Sequence, residues 1–163
     1  MKQLLDFEYN RESIKSAYYL IGILELRLRH IIPVTLSSLS KEGISETWSS
    51  NLNLSEKGFL TLNRAKVLNP EFPQEFLPFS FWRYLLSSKH YGSLWIPKLY
   101  SVFPGMTAPK SRDSFLQIDK AMDTALRLRN QVAHYNLRNY RGFQYSQSKV
   151  EWLIELMDTK EVS

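Results

Sequence analysis

Apolar side chains recur every three to four residues along most of this chain, and no segment alternates convincingly with strand period. The first helical segment is residues 10–32, NRESIKSAYYLIGILELRLRHII, where Ile14, Tyr18, Ile21, Leu28 and Ile32 share one face. Asn10 or Ser13 can cap its start, and Pro33, which lacks a backbone N–H, closes it. Residues 33–55 are mixed and serine-rich, with room for short helices near 34–41 and 45–51. Ser55 followed by Glu56 marks another helix start, running to about Val67 through Phe59, Leu60, Leu62 and Ala65. NPEFPQEFLP carries three prolines and reads as an extended connection between two halves of one domain.

In the second half, SFWRYLLSSKH (80–90) reads as a helix capped by Ser80. YGSLWIPKLYSV (91–102) reads as a second short helix with Pro97 early in it, and FPGMTAPKSR as a turn-rich connection. A long helix follows from about Asp113 to 136, with Phe115, Ile118, Met122, Ala125, Leu126 and Val132 as its core stripe. SQSKVEWLIELMD (146–158) is a short amphipathic helix opening at Ser146 or Ser148. The pattern predicts an all-α bundle, one domain over residues 1–163, built around the long helices at 10–32 and 113–136.

Composition adjusts this picture only at its edges. A chain of 163 residues with 44% hydrophobic and 23% charged side chains suits one ordinary globular core. Trp82, Trp95 and Tyr91 are expected in that core, and His90 beside Lys89 at the surface. There is no cysteine, which excludes disulfides and thiolate metal sites and fits a reducing compartment. MKQLLDFEYNRES lacks the apolar run of a secretory signal. The apolar-rich stretch 17–36 is interrupted by Glu25, Arg27, Arg29 and His30, so no membrane span is expected. A soluble cytoplasmic protein is the expectation. A formal charge of +5 and a pI near 9.4 permit contact with polyanions.

Two charged residues break the helical pattern. At about 100° per residue, Glu25 falls in the middle of the first helix's apolar face. Arg129 falls inside the stripe of the long helix, in RLRNQVAHYN. A guanidinium there requires an anion. Glu25 is one candidate, and a ligand phosphate is the other. A Glu–Arg pair joining two helices is also an ordinary packing device, and a histidine near a helix end often only caps carbonyls. Asn130 and His134 are neighbours four residues apart. Arg129 and His134 stand about 140° apart on an ideal helix, so the three can line one broad cleft edge.

The segment RNQVAH resembles the R-x4-6-H pattern of HEPN domains, in which a polar residue, often Asn, follows the Arg. Arg129, Asn130 and His134 match it, and Ala133 before the histidine is also usual there. YYLIGILELRLRHII resembles the first helix of the Abi-like branch, and PFSFWRYLLSSKHYGSLW its aromatic central segment. The resemblance covers the start, middle and end of the chain. It implies an all-α fold and often a metal-independent endoribonuclease, active as a homodimer in which Arg and His from two domains converge on one cleft. Abi-like proteins are associated with phage abortive infection and toxin–antitoxin systems, so an antitoxin or other defence-system protein is a possible partner. Other members keep the fold without activity.

Under that resemblance RNA supplies its own nucleophile, the 2′-OH. His134 moves a proton near neutral pH. Arg129 holds the scissile phosphate, Asn130 positions His134 or a phosphate oxygen, and Glu25 supports Arg129. One chain offers one such histidine, and a symmetric dimer supplies the second. No cofactor or metal is called for: with His30, His90 and His134 as the three histidines, a zinc site would need an improbable convergence. Tyr135 either packs or stacks on a base. Arg127, Arg138 and Arg141 either track an RNA backbone or are simply solvated. Partner enzymes that modify a Tyr two places after the histidine would find Asn136 there instead. The rival expectation is a non-catalytic helical RNA-binding or protein-interaction module of a defence system.

Overall fold

The computed structural model of the chain describes residues 1, 4, 10–37, 48–50, 52–134 and 140–158, with only the backbone of residues 140 and 141. Among these residues all regular structure is helical, as the periodicity predicts. Helix α1 (Arg11–Ser37) buries Ile14, Ala17, Ile21, Leu24, Leu28, Ile32 and Leu36 along one face. Tyr18, expected on that face, is 52% exposed, and Ala17 and Leu24 take the covered positions instead. Pro33 does not end the helix. It lies buried inside it, and α1 runs on to Ser37. The missing N–H forfeits one intrahelical bond, but Leu36 extends the buried stripe past it. The Ser37 hydroxyl donates back to the Pro33 carbonyl at 2.8 Å.

Helix α2 (Glu56–Leu68) begins where the Ser55–Glu56 signal puts it. The Ser55 side chain accepts from the Gly58 N–H at 3.2 Å, and the Ser55 N–H donates to the Tyr84 hydroxyl at 2.8 Å. Leu62 and Ala65 face inward, while Phe59 and Leu60 face out, 56% and 49% exposed. The proline-rich connection contains a 3-10 turn, Pro73–Phe76, and buries Pro73 and Leu77. Of the short helices read at 34–41 and 45–51, residues 34–37 are the last turn of α1, and 38–47 and 51 lie outside the described residues.

Helix α3 (Phe79–Leu85) starts one residue before Ser80, with Pro78 at the cap position and no side-chain cap. No second short α-helix follows. Residues 91–95 make a single π turn closed by Ile96 N–H to Tyr91 O at 3.0 Å, and Leu99–Val102 a 3-10 turn, because Pro97 interrupts the ladder between them. Trp82 and Trp95 are buried as expected, and Tyr91 packs half-buried on the core. His90 is not at the surface: it is 2% exposed, with the Tyr84 ring edge-on to it at 4.7 Å.

Helix α4 (Arg112–Ala133) is capped by Ser111, whose side chain accepts from the Ser114 N–H. Its buried stripe is Phe115, Ile118, Ala121, Met122, Ala125, Leu128 and Val132, with Leu128 taking the place expected of Leu126. Helix α5 (Tyr140–Met157) starts six residues before Ser146. The hydroxyls of Ser146 and Ser148 donate to the carbonyls of Gly142 and Tyr145, so neither serine caps.

These elements enclose one core in which α4 and α5 pack on each other and both pack on α1. Polar ties fix the α1–α5 register. Gln147 donates to the Ser13 carbonyl at 3.2 Å, and Arg27 donates to the Ile154 carbonyl at 3.2 Å and pairs with Asp158. Arg27 therefore satisfies a carbonyl that the end of α5 leaves open. The turn before α4 is tied to α5 by Gly105 N–H to Leu156 O at 2.9 Å. A Cβ at Gly105 would lie 3.0 Å from the Leu156 Cα, tighter than ordinary packing, so this close approach favours glycine. No helix among the described residues is long and apolar enough to cross a membrane.

Candidate functional site

The last two turns of α4 carry Arg129, Asn130 and, at the C-cap, His134. Backbone geometry at His134 leaves the helix, with φ −103 and ψ 7, and its N–H still bonds the Asn130 carbonyl at 3.1 Å. All three residues are exposed. Arg129 is thus not the buried charge that the stripe implies. Its angular position toward α1 is as expected, but Gly22 on α1 and Ala133 on α4 are small, and the two helices leave a hollow between them. That hollow has a volume of about 180 Å³ and is lined by Tyr18, Gly22, Glu25, Arg129, Val132 and Ala133, among others.

Glu25 and Arg129 therefore share one groove, but they are not an ion pair. Glu25 accepts from Arg29 at 2.7 Å, an i,i+4 contact within α1 whose side chains are 23% and 25% exposed. The nearer partner wins because it comes from the same helix and needs no interhelical reach. Arg129 makes no ion pair with any described residue. Among the described residues it is a guanidinium without an acidic partner, beside a carboxylate already neutralised by its neighbour.

Asn130 and His134 do not line this groove. Within one chain the structure brings Glu25 and Arg129 together and holds His134 at the end of α4, outside the hollow. Arg127 is 75% exposed at its side chain and bonds Asp123, with Nε at 3.0 Å. Tyr135 and Arg138 lie outside the described residues, as does the Arg141 side chain.

Two further hollows were not anticipated. One, of about 160 Å³, lies at the start of α2 and is lined by Ser55, Lys57, Thr61, Ser80 and Tyr84. Burial there raises the Tyr84 hydroxyl pKa, but the hydrogen bonds from Ser55 and the nearby Lys89 bring it below the ordinary 10.0. The other, of about 310 Å³, lies between α4 and α5. Its residues include Lys120, Tyr145, Lys149 and Trp152. The i,i+4 and i,i+3 spacing of Tyr145, Lys149 and Trp152 on α5 is the sequence signal that marks it. No family model, no curated protein and no solved structure matches the chain.

Proposed function

We propose that the chain is a HEPN-type, Abi-like endoribonuclease that acts in the cytoplasm in phage defence or as a toxin. One observation carries the reading: Arg129 is an exposed guanidinium without an acidic partner among the described residues, one turn before an exposed His134 at the end of the same helix. A cation so placed is free to take a phosphate, and a solvent-accessible imidazole is free to exchange protons. In this scheme Arg129 binds the scissile phosphate and stabilises its developing charge. His134 takes the 2′-OH proton as that oxygen attacks phosphorus, and the 5′-oxygen leaves with a proton from a second His134. Asn130 orients phosphate or imidazole. The second histidine comes from a homodimer, because one chain carries one histidine of this set. The products are a 2′,3′-cyclic phosphate and a 5′-hydroxyl.

The test is cleavage of RNA by the purified chain in the presence of a chelator. His134→Ala should fold, form the same assembly and leave RNA intact. If it cuts as fast as the wild type, the role given to His134 is wrong. A second reading is favoured by the separation of Asn130 and His134 from the groove that holds Arg129. On that reading the protein is a non-catalytic RNA-binding or protein-interaction module of a defence system, and RNA is bound but never cut.

A further inference from the structure

The hollow between α4 and α5 has the lining of a ligand site rather than of a packing defect. Its volume, about 310 Å³, reaches the lower end of the ~300–1,000 Å³ usual for small-molecule pockets. From α4 come Gln117, Lys120 and Thr124, and from α5 come Tyr145, Lys149 and Trp152. The Lys149 ammonium sits 5.5 Å from the Tyr145 ring centroid and 5.4 Å from that of Trp152. Tyr145 is 51% exposed, so much of its ring is open to solvent.

Charge sharpens the choice of ligand. Two lysines line one hollow, and no carboxylate lines it among the described residues. The acids on the neighbouring turns of α4 are engaged elsewhere: Asp119 with Arg83, and Asp123 with Arg127 and Arg83. Two ammonium groups that make no ion pair among the described residues favour an anion. An open aromatic ring beside them favours a planar group. Gln117 adds an amide that both donates and accepts, as the edge of a base requires.

We propose that this hollow binds a nucleotide, with its base stacked on Tyr145 and its phosphate held by Lys120 and Lys149. The ligand is a free mononucleotide or one unit of a single strand, which share this chemistry. The site stands apart from the cleavage reading. Ala121, which also lines the hollow, precedes His134 by thirteen residues, about 20 Å along the helix. A protein that never cuts RNA would still have it.

The test is a titration of the full chain with adenosine monophosphate, with a single-stranded DNA hexamer and with inorganic phosphate, read by tryptophan fluorescence and calorimetry. DNA lacks the 2′-OH, so cleavage does not interfere. The nucleotide probes should bind and phosphate alone should bind far more weakly. Tyr145→Ala should weaken binding about tenfold or more, and Lys149→Glu at least as much. Tyr145→Phe should restore it. Thermal unfolding checks that the variants remain folded. Binding of the monophosphate assigns the site to a free nucleotide, and binding of the hexamer alone assigns it to a strand. The proposal is overturned if no nucleotide binds, if phosphate binds as well as nucleotide, or if both Tyr145→Ala and Lys149→Glu bind as the wild type does.

Discussion

Glu25 is held by Arg29, one turn along α1, with 2.7 Å between the carboxylate and the guanidinium. Arg129 therefore faces a carboxylate whose charge is already answered, across a groove still open to an anion. Glu25→Gln should change stability by no more than about 0.5 kcal/mol, the usual worth of an i,i+4 pair. It should also raise the gain in thermal midpoint that phosphate or sulfate produces, because the nearest negative charge is gone. A loss of several kcal/mol in urea unfolding would mean that Glu25 anchors Arg129 after all.

Arg83 on α3 reaches Asp119 on α4 at 2.7 Å, with side chains 17% and 20% exposed. Asp123 adds a second, weaker contact at 3.9 Å. Removing one partner leaves the other charge half-buried and unanswered, so Arg83→Ala should cost about 2–3 kcal/mol. The double variant Arg83→Met with Asp119→Leu should recover most of that loss, since similar volume replaces the pair without stranding a charge. Urea midpoints of the singles and the double form a cycle that measures the coupling directly.

His90 gives the fold an acid sensitivity. Burial, and then the neighbouring Lys89, hold its pKa below the ordinary 6.5, so the buried imidazole is neutral. The unfolded chain takes up this proton before the folded one does. Stability is therefore fully present above about pH 6.5 and declines below it, by at most about 1.4 kcal/mol per pH unit for this group. Urea unfolding at about pH 7.5 and about pH 5 should show the decline, and His90→Phe should lose that share of it. An identical decline in the variant would assign the effect to other groups.

Ser55 does two jobs with different chemistry. Its side chain caps α2, and its N–H bonds the Tyr84 hydroxyl. Ser55→Ala removes the cap together with the side chain's contact to the Tyr84 hydroxyl and should cost about 1 kcal/mol. Tyr84→Phe keeps the cap but strands the Ser55 N–H, with an expected cost of about 1–2 kcal/mol. Thermal midpoints of the two variants and of their combination form a cycle, and the combined loss should fall short of the sum because both changes touch the Tyr84 hydroxyl.

The helix start at Ser55 is legible because a capping serine followed by an acidic residue is a local signal, whereas the long helix expected from about Asp113 begins one residue earlier, at Arg112, behind the cap of Ser111. Other features depend on neighbours that periodicity does not name. On a helical wheel Leu126 and Leu128 lie roughly 80° to either side of the centre of the stripe formed by Phe115, Ile118, Met122, Ala125 and Val132, and only the positions of α1 and α5 decide which is covered. Pro33 carries the signal of a helix end, yet the core around Ile32 and Leu36 outweighs one lost bond. Arg129 has the angular position expected of it, but its exposure follows from Gly22 and Ala133 leaving a hollow on a different pair of elements. The Glu25–Arg29 pair is written in its i,i+4 spacing, a nearer partner for Glu25 than Arg129 on another helix. Lys89 beside it makes His90 look like a surface residue in the sequence, whereas its burial comes from the Tyr84 ring and the turn that follows α3.

The bond from Gly105 N–H to Leu156 O closes a ring of chain that contains all of α4 and all of α5 but its last residue, Met157. That single amide hydrogen works as a gauge of the pair. It can exchange with solvent water only when the base of the helical hairpin parts, so its exchange rate times the opening of the hairpin as a unit. Fraying at the far end of α4, where His134 sits, would leave this proton untouched. The protein thus carries its own marker for telling whether ligands loosen the whole hairpin or only the tip that bears Arg129.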